Sequence, residues 1–222
     1  MVLLGHAAGL PQFPVVIRNL LVLDIARFGV AIFFVLSGFL ITTLLIDERS
    51  RRGHVSLRDF YLRRTIRIFP AAYLYIACAV VVASIGWATL KPGDVLHALT
   101  YTMDYHHDRG WALGHLWSLA VEEQFYLVWP VVMILLLRLG RRRLPDVSWG
   151  LVIAALVITA ITAALYYPGP IGTCDVTPDA YWQVAGRCIS KTDALYLSTP
   201  TRLVGLLLGS AFAMVWRPAT CQ

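Results

Sequence analysis

The sequence predicts an all-α fold: a multi-pass bundle of transmembrane helices with about five full spans plus the remnant of a first helix. Of the 222 residues, 58% are hydrophobic and only 14% are charged. The mean hydropathy is +0.67, so the chain has more apolar surface than one soluble core can cover. Apolar windows near the ~20 residues that a helix needs to cross a bilayer recur along it. Basic residues are concentrated between alternate windows.

The predicted spans follow these windows. In chain order they are Phe28–Ile46, Ile68–Trp87, Leu116–Leu137, Leu151–Tyr167 and Leu203–Trp216. We expect residues 1–222 to form a single integral membrane domain. About one apolar turn, from Met1 to His6, precedes Pro11 and is too short for a span or a signal peptide. We therefore expect the domain to begin inside a first helix. The sequence ends directly after the last window, which allows the same interpretation there, a domain that is incomplete at the C-terminus.

The basic residues predict the orientation of the spans. Seven arginines lie between the first two spans and four follow the third: Arg49, Arg51, Arg52, Arg58, Arg63, Arg64 and Arg67, then Arg138, Arg141, Arg142 and Arg143. By the positive-inside rule both groups are cytoplasmic, in a multi-pass protein of the cytoplasmic membrane. The connections Lys91–His115 and Pro168–Thr199 carry two Lys or Arg residues each and are expected to face outward. The net charge of +6 is thus explained by basic residues in the cytoplasmic connections. They are not spread over one soluble face, so we expect no nucleic-acid partner.

The cysteines agree with this orientation. Cys174 and Cys188 both lie in the second outward connection, where an oxidising compartment permits a disulfide. Such a bridge would close a loop of about 15 residues and be worth about 3 kcal/mol in the chain-entropy model. Two free thiols are the alternative. No cysteine has partners at zinc-site spacing, and the His- and Asp-containing segment Tyr105–His115 matches no metalloprotease pattern, so we predict no metal site.

Two adjacent carboxylates, Glu122 and Glu123, lie in the apolar and aromatic run Trp117–Pro130. A charge at the centre of a membrane helix costs about 2.5–3.5 kcal/mol on insertion scales, so we expect the pair to face a polar cavity or carry a proton. The two side chains are about 100° apart on a helix, so one is expected to do acid–base chemistry while the other lies at a rim. The alternative is a structural pair at the outer headgroups.

Two further motifs have competing interpretations. If the segment after Phe60 is helical, Arg63 and Arg67 lie one turn apart with Arg64 beside them, which suits a multiply charged phosphate ligand. Anchoring at the cytoplasmic face explains these arginines equally well. The pair Ser37-Gly38 is expected to allow close helix packing, because Ser37 lacks the flanking glycines of a nucleophile elbow.

Three blocks of the sequence, Phe33–Ile41, Phe60–Tyr73 and Trp117–Tyr126, resemble the membrane acyltransferase-3 family. Members of this family are multi-pass enzymes that O-acylate bacterial surface polysaccharides and related molecules. The order and spacing of the blocks also fit, and Tyr196–Gly209 resembles a later Arg-containing span of the family. The resemblance implies transfer of an acyl group, expected to be acetyl, from cytoplasmic acyl-CoA to a hydroxyl. The acceptor would be an extracytoplasmic carbohydrate or lipid-linked molecule, and the enzyme would work within membrane lipid.

The resemblance also implies roles for individual residues. His6 fits the histidine of the family's first helix, whose arginine partner would lie before Met1. His6 would be the general base, and Glu122 or Glu123 would orient or charge it. Acyl-CoA would be a co-substrate, with no bound cofactor, and transfer would be direct. The expected substrate-binding residues are Arg63, Arg64 and Arg67 for the CoA phosphates, together with Tyr73, Trp117 and Ser118.

Two alternatives belong to other classes of protein. In a proton-coupled transporter, Glu122 or Glu123 would carry protons and the arginines would only anchor the chain. Its substrate flux would depend on the proton gradient and not on CoA. An inactive fragment is the other alternative, since we expect the first helix to be incomplete at Met1.

Overall fold

The computed structural model describes residues 23–138, 144–184 and 186–216. Eight helices occur in these ranges: α1 Leu23–Arg52, α2 Leu57–Ser84, α3 Asp94–Leu99, α4 Trp111–Gly114, α5 Trp117–Arg138, α6 Leu144–Leu165, α7 Lys191–Leu197 and α8 Thr199–Trp216. Strands β1 Tyr181–Val184 and β2 Arg187–Ser190 form an antiparallel hairpin, with Tyr181 opposite Ser190. Short 3-10 turns lie at Met103–Tyr105 and Pro178–Ala180.

Five helical segments are long and apolar enough to cross a membrane. They are Arg27–Arg52, Leu57–Ser84, Trp111–Arg138, Leu144–Leu165 and Lys191–Trp216. The predicted all-α multi-pass bundle with five full spans is therefore confirmed. The predicted remnant of a first helix, with His6, lies outside the described residues.

The second span begins earlier than its apolar window predicted. Helix α2 begins at Leu57, where Ser56 is the N-cap and its Oγ accepts a hydrogen bond from the Asp59 backbone N–H at 3.3 Å. An N-cap of this kind satisfies a donor that the first helical turn leaves unpaired. Arg63, Arg64 and Arg67, which were assigned to the connection, are consequently part of the helix.

Helices α1 and α8 form the closest crossing of the bundle. A Cβ atom on Gly38 would overlap the carbonyl oxygen of Leu206, and one on Gly209 would overlap that of Val35. Glycine is therefore required for the two backbones to touch, as in other small-residue crossings of membrane helices. The prediction that the Ser37-Gly38 pair allows close packing is confirmed.

Buried polar side chains connect this crossing to α5. Ser210 on α8 donates to the Gly38 carbonyl at 3.3 Å and lies 2.9 Å from the Thr42 hydroxyl on α1. Trp129 on α5 donates its indole N–H to Thr42 at 2.8 Å. Hydrogen bonds between helices stabilise such bundles because an unpaired polar group inside a membrane is costly. Helices α1, α5 and α8 therefore form the core, and α6 packs against the outer side of α8.

The long connections lie together at one end of the bundle. Asp104, after α3, is buried and accepts hydrogen bonds from Gln124 of α5 and Thr199 of α8 at 2.9 and 2.8 Å. Burial raises the pKa of Asp104. A disulfide joins Cys174 to Cys188 of β2, so the bridged alternative is confirmed. We call residues 166–184 and 186–190, the hairpin and the loop before it, the disulfide lobe.

We expect the double substitution Cys174→Ser/Cys188→Ser to destabilise the disulfide lobe by about 3 kcal/mol, because the bridge closes a loop of about 15 residues. Limited proteolysis at 25 °C should show faster cleavage within residues 166–190. Cys78→Ser is the matched control, since Cys78 is an exposed free thiol on α2. Equal cleavage rates for the double variant and the unchanged protein would contradict the prediction.

Candidate functional site

Glu122 is a buried carboxylate with partners on three helices. Its Oε1 atom accepts hydrogen bonds from Ser37 Oγ of α1 at 2.5 Å and from the Tyr126 hydroxyl of α5. The Nη2 atom of Arg64 on α2 lies 3.9 Å from the same oxygen. Only 7% of Glu122 is exposed. We call Ser37, Arg64, Glu122 and Tyr126 the Glu122 cluster.

Local geometry explains how the cluster forms. Glu122 and Tyr126 are four residues apart on α5 and therefore share one helix face. The Arg64 guanidinium lies over the Tyr126 ring, 3.5 Å from its centroid, as in cation–π pairs. A carboxylate buried among apolar side chains is costly unless a cation and hydrogen-bond donors surround it. The cluster supplies both, so it can hold a negative charge at this depth.

Glu123 lies outside the cluster. It is near Tyr101, which follows α3 and whose ring packs with Phe69 and Tyr73 of α2. It is half-buried, and its Oε1 atom is buried without a hydrogen-bond partner among the described residues. Burial, with smaller contributions from Tyr73 and Glu123, raises the pKa of Tyr101 to about 12. Phe69 stacks on the Tyr101 ring with 5.4 Å between centroids, and Tyr73 lies 6.4 Å away. The two adjacent glutamates therefore have different environments, as their angular offset predicts.

A basic cavity of about 450 Å³ opens beside the cluster at the α1–α2 end of the bundle. Arg63 pairs with Glu48 at 3.2 Å, whereas Arg67 is exposed and has no ion-pair partner within the described ranges. We call this the Arg cavity. Its charged lining residues are Asp47, Glu48, Arg51, Arg52, Arg63, Arg64 and Arg67.

The predicted orientation puts the arginines at the cytoplasmic face and the connection before α5 outward, so the glutamate pair near the start of α5 was expected across the membrane from the arginines. The contact between Arg64 and Glu122 shows that this expectation is wrong. Arg64 is about 10 Å along α2 from Leu57, and Glu122 is about 7.5 Å along α5 from Trp117, so both lie well inside their helices. The long Arg64 side chain bridges the remaining distance, and its guanidinium lies over the Tyr126 ring. The structure therefore brings Arg64 to Glu122, while Arg63 and Arg67 line the cavity beside it.

A larger cavity of about 910 Å³ lies at the opposite end, under the disulfide lobe. We call it the lobe cavity. Trp117 and Ser118, both predicted to bind substrate, are in its lining, whereas Tyr73 is not. Ser118 is four residues before Glu122, about 6 Å along the same face of α5. The Glu122 cluster thus lies between the two cavities, with Arg64 lining one and Ser118 one turn away lining the other.

Charged residues hold the wall of the lobe cavity. Arg109 donates two hydrogen bonds to Asp193 of α7, at 3.1 and 2.9 Å. The loop that carries Arg109 is fixed by fully buried Asp94, which accepts from the Gly110 N–H at 3.1 Å. His107 lies 4.0 Å from Asp193. Burial lowers the pKa of His107, and nearby Arg109 also lowers it, although Asp193 acts in the opposite direction.

Several of these residues were not among the sequence predictions. Tyr126 was detectable, because a hydroxyl four residues after Glu122 must share its helix face. Ser37 was not, since its partner lies 85 positions away and no local pattern links them. His6 lies outside the described residues. Within those residues, no group of three or more His, Cys, Asp or Glu side chains is arranged to hold a metal ion.

The fold and the site define a multi-pass membrane protein with a buried carboxylate between two cavities. The chain belongs to the acyltransferase-3 family: the model of that family, described as an acyltransferase domain, matches residues 1–217. The family predicted from the three sequence blocks is confirmed.

Curated relatives have similar sequences. YrhL of Bacillus subtilis (strain 168) is 32% identical over 209 residues, which are 85% of this chain and 28% of that protein. The peptidoglycan O-acetyltransferase OatA of Listeria monocytogenes is 30% identical over 203 residues, 85% of this chain and 29% of that protein. The O-acetyltransferase OatA of Staphylococcus aureus (strain NCTC 8325 / PS 47) is 32% identical over 207 residues, 86% of this chain and 30% of that protein. The chain therefore spans less than a third of the length of these relatives. No solved structure matches.

Proposed function

We propose that this chain is the acyl-transferring part of a membrane O-acyltransferase. It would move an acyl group, expected to be acetyl, from acyl-CoA to a carbohydrate hydroxyl on the opposite side of the membrane. Family membership supports the reaction class, and the names of the Listeria and Staphylococcus relatives support acetyl as the group. The name of the Listeria relative also supports peptidoglycan as the acceptor. The observation that carries the proposal is the position of Arg64, which lines the Arg cavity and contacts Glu122.

The Arg cavity is the proposed donor site, on the cytoplasmic side by the positive-inside rule. Arginine side chains bind phosphate oxygens through paired, charge-assisted hydrogen bonds. Arg67 is suited to this role because it has no ion-pair partner in the described part of the chain. Arg63 would share its charge between Glu48 and a phosphate. The acyl thioester would then extend from the phosphates toward the Glu122 cluster.

The proposed reaction is a direct transfer. The acceptor hydroxyl enters from the lobe cavity, and His6 removes its proton as the general base. The hydroxyl oxygen attacks the thioester carbonyl, a carbon–oxygen bond forms, the carbon–sulfur bond breaks, and the CoA thiolate leaves. Glu122 orients His6 and balances its positive charge. Ser37, Tyr126 and Arg64 would hold the carboxylate in place for this step.

We expect Arg63→Ala and Arg67→Ala to raise the KM for acetyl-CoA by about tenfold or more with little change in kcat, because each removes a charged hydrogen-bond donor from the phosphates. The measurement is transfer of labelled acetyl groups by membranes that contain the full-length protein, at varied acetyl-CoA concentration. Arg58→Ala is the matched control: Arg58 is an exposed arginine on the same helix that does not line the Arg cavity.

Three results would contradict the proposal. One is an unchanged KM in both cavity variants. Another is an equal rise in KM in Arg58→Ala, which would point to general attraction of the basic membrane face. The third is solute flux that depends on the proton gradient and not on CoA, which would favour the transporter alternative.

A further inference from the structure

We propose that a basic pocket at the ends of α1 and α5 binds one anionic phospholipid of the surrounding membrane. We call it the Arg138 pocket. Its volume is about 490 Å³, within the roughly 300–1,000 Å³ that is usual for small-molecule sites. The lining includes three basic residues and three aliphatic residues of α5: Arg49, His54 and Arg138, then Val131, Ile134 and Leu135. The acyl transfer proposed above does not use this pocket.

The Arg138 pocket lies at the level of the membrane surface. Helix α1 ends at Arg52, α2 begins at Leu57 and α5 ends at Arg138. The pocket is therefore where two spans leave the membrane and a third enters it. By the positive-inside rule this end of the bundle is cytoplasmic. Phospholipid phosphates lie at the same level, because they border the apolar layer that the spans cross.

The charges of the pocket favour an anion. Two arginines and a histidine line it, and no Asp or Glu of the described residues does. Arg49 and Arg138 are exposed and have no ion-pair partner in the described ranges. In the Arg cavity, by contrast, Glu48 pairs with Arg52 and Arg63. Basic pockets between spans on the cytoplasmic side bind phospholipid headgroups in other membrane proteins.

Arg49 and the connection that carries His54 are held in place. The Arg49 guanidinium donates to the Gly53 carbonyl, and Gly53 has a φ of +75°, which glycine adopts without strain. The Ser56 backbone N–H donates to Glu48 Oε1 at 3.2 Å, which ties the connection to α1. A guanidinium has five N–H donors, so Arg49 keeps others for a ligand. The site is therefore preorganised, which reduces the entropy lost on binding.

The apolar part of the pocket favours a lipid over a free phosphate. Val131 and Leu135 are 43% and 55% exposed, and both line the pocket. Val131 is seven residues before Arg138, about 10 Å along α5 toward the middle of the bilayer. An acyl chain that extends from a phosphate at Arg138 follows the same direction and gains dispersion contacts with these side chains. A water-soluble phosphate would contact neither of them.

The Arg138 pocket is separate from the Arg cavity. The two linings have no residue in common. Arg51, which lines the Arg cavity, is about 200° around α1 from Arg49. A lipid in the Arg138 pocket would therefore leave the proposed donor site open.

The test is native mass spectrometry of the purified full-length protein in detergent. The protein is titrated with phosphatidylglycerol and, separately, with zwitterionic phosphatidylcholine that has the same acyl chains. We expect tighter binding of phosphatidylglycerol. Arg49→Ala and Arg138→Ala should each weaken it about fivefold, the usual contribution of one arginine beside an anionic membrane surface, and the double variant about tenfold or more.

Two control variants locate the bound lipid. Arg58→Ala is the matched control, since Arg58 is exposed at the same end of the bundle and lines neither the Arg cavity nor the Arg138 pocket. It should leave phosphatidylglycerol binding unchanged, and equal weakening in this variant would indicate general attraction to the basic face. A larger loss in Arg67→Ala than in the double variant would place the lipid in the Arg cavity. Either result would overturn the inference.

A competition experiment separates the lipid from a free phosphate. Glycerol phosphate at the concentration of phosphatidylglycerol should not displace it, and displacement would indicate a phosphate site without a lipid. Equal affinity for phosphatidylglycerol and phosphatidylcholine would also overturn the inference. Binding is measured without acyl-CoA or acceptor, so these results do not depend on the proposed function.

Discussion

Glu122→Gln is expected to lower the rate of acyl transfer by about 100-fold or more, the usual size of an acid–base contribution. The substitution keeps the shape of the side chain, and its amide oxygen can still accept from Ser37 and Tyr126. It removes the negative charge that faces Arg64 at 3.9 Å and the charge proposed to balance His6. Single-turnover transfer of labelled acetyl groups, at saturating acetyl-CoA and acceptor, measures the effect.

The stability of the variant must be measured beside its activity. An arginine left without its partner in a buried site is itself destabilising, by about 3–5 kcal/mol in comparable cases. Arg64 keeps the Tyr126 ring beneath it, which should limit this cost. Elution as a single species from size exclusion, with a thermal midpoint within a few degrees of the unchanged protein, would assign the lost rate to chemistry.

Glu123→Gln is the matched control for Glu122→Gln. It removes the same charge one residue away, from a half-buried side chain that has no partner in the Glu122 cluster. We expect a change in transfer rate of only a few-fold. A larger loss from Glu123→Gln than from Glu122→Gln would contradict the assignment of Glu122 as the reactive carboxylate.

Gly209→Ala is expected to lower the free energy of unfolding by about 3 kcal/mol or more, at the upper end for overpacking. The added Cβ would overlap the Val35 carbonyl oxygen and lie 2.8 Å from the Phe39 backbone N. Both are backbone atoms, so no side-chain rotation relieves the clash, and α1 and α8 must separate. Titration of the detergent-solubilised protein with a denaturing detergent, followed by circular dichroism, measures the shift.

Gly150→Ala tests whether the loss of stability expected for Gly209→Ala is specific to the crossing of α1 and α8. Gly150 lies in α6, and a Cβ there meets nothing within 4 Å. Alanine is favoured over glycine in a helix by about 0.8–1.0 kcal/mol, so this variant should be as stable as the unchanged protein or slightly more so. A Gly209→Ala protein that unfolds at the same denaturant concentration would mean that the crossing is looser than described.

The crossing also links stability to the site. Gly38 follows Ser37 directly, so separation of α1 from α8 would shift the hydroxyl that donates to Glu122. We therefore expect Gly209→Ala to reduce acyl transfer as well as stability. The close packing at Gly38 and Gly209 thus positions one hydrogen-bond partner of Glu122.

The number of spans and the family were predictable from the sequence because both depend on local properties. A run of about 20 apolar residues is long enough to cross a bilayer wherever it occurs in the chain. The blocks around Gly38, Arg64 and Glu122 are contiguous, so the family was recognisable without knowledge of their contacts. The Cys174–Cys188 bridge was one of two alternatives that the sequence left open, because both residues lie in one predicted outward connection; the structure decided for the bridge.

Only the tertiary structure decided which residues meet. Hydropathy sets neither the rotation nor the tilt of a helix; packing against neighbouring helices does. For that reason the sequence did not show which of Glu122 and Glu123 has the chemical role. It also placed the two carboxylates on the opposite side of the membrane from the arginines. The α1–α8 crossing and the position of α2 bring Ser37 and Arg64 to Glu122 and leave Glu123 aside. The sequence by itself determined a five-span membrane acyltransferase-3 chain, and packing determined which carboxylate lies between its two cavities.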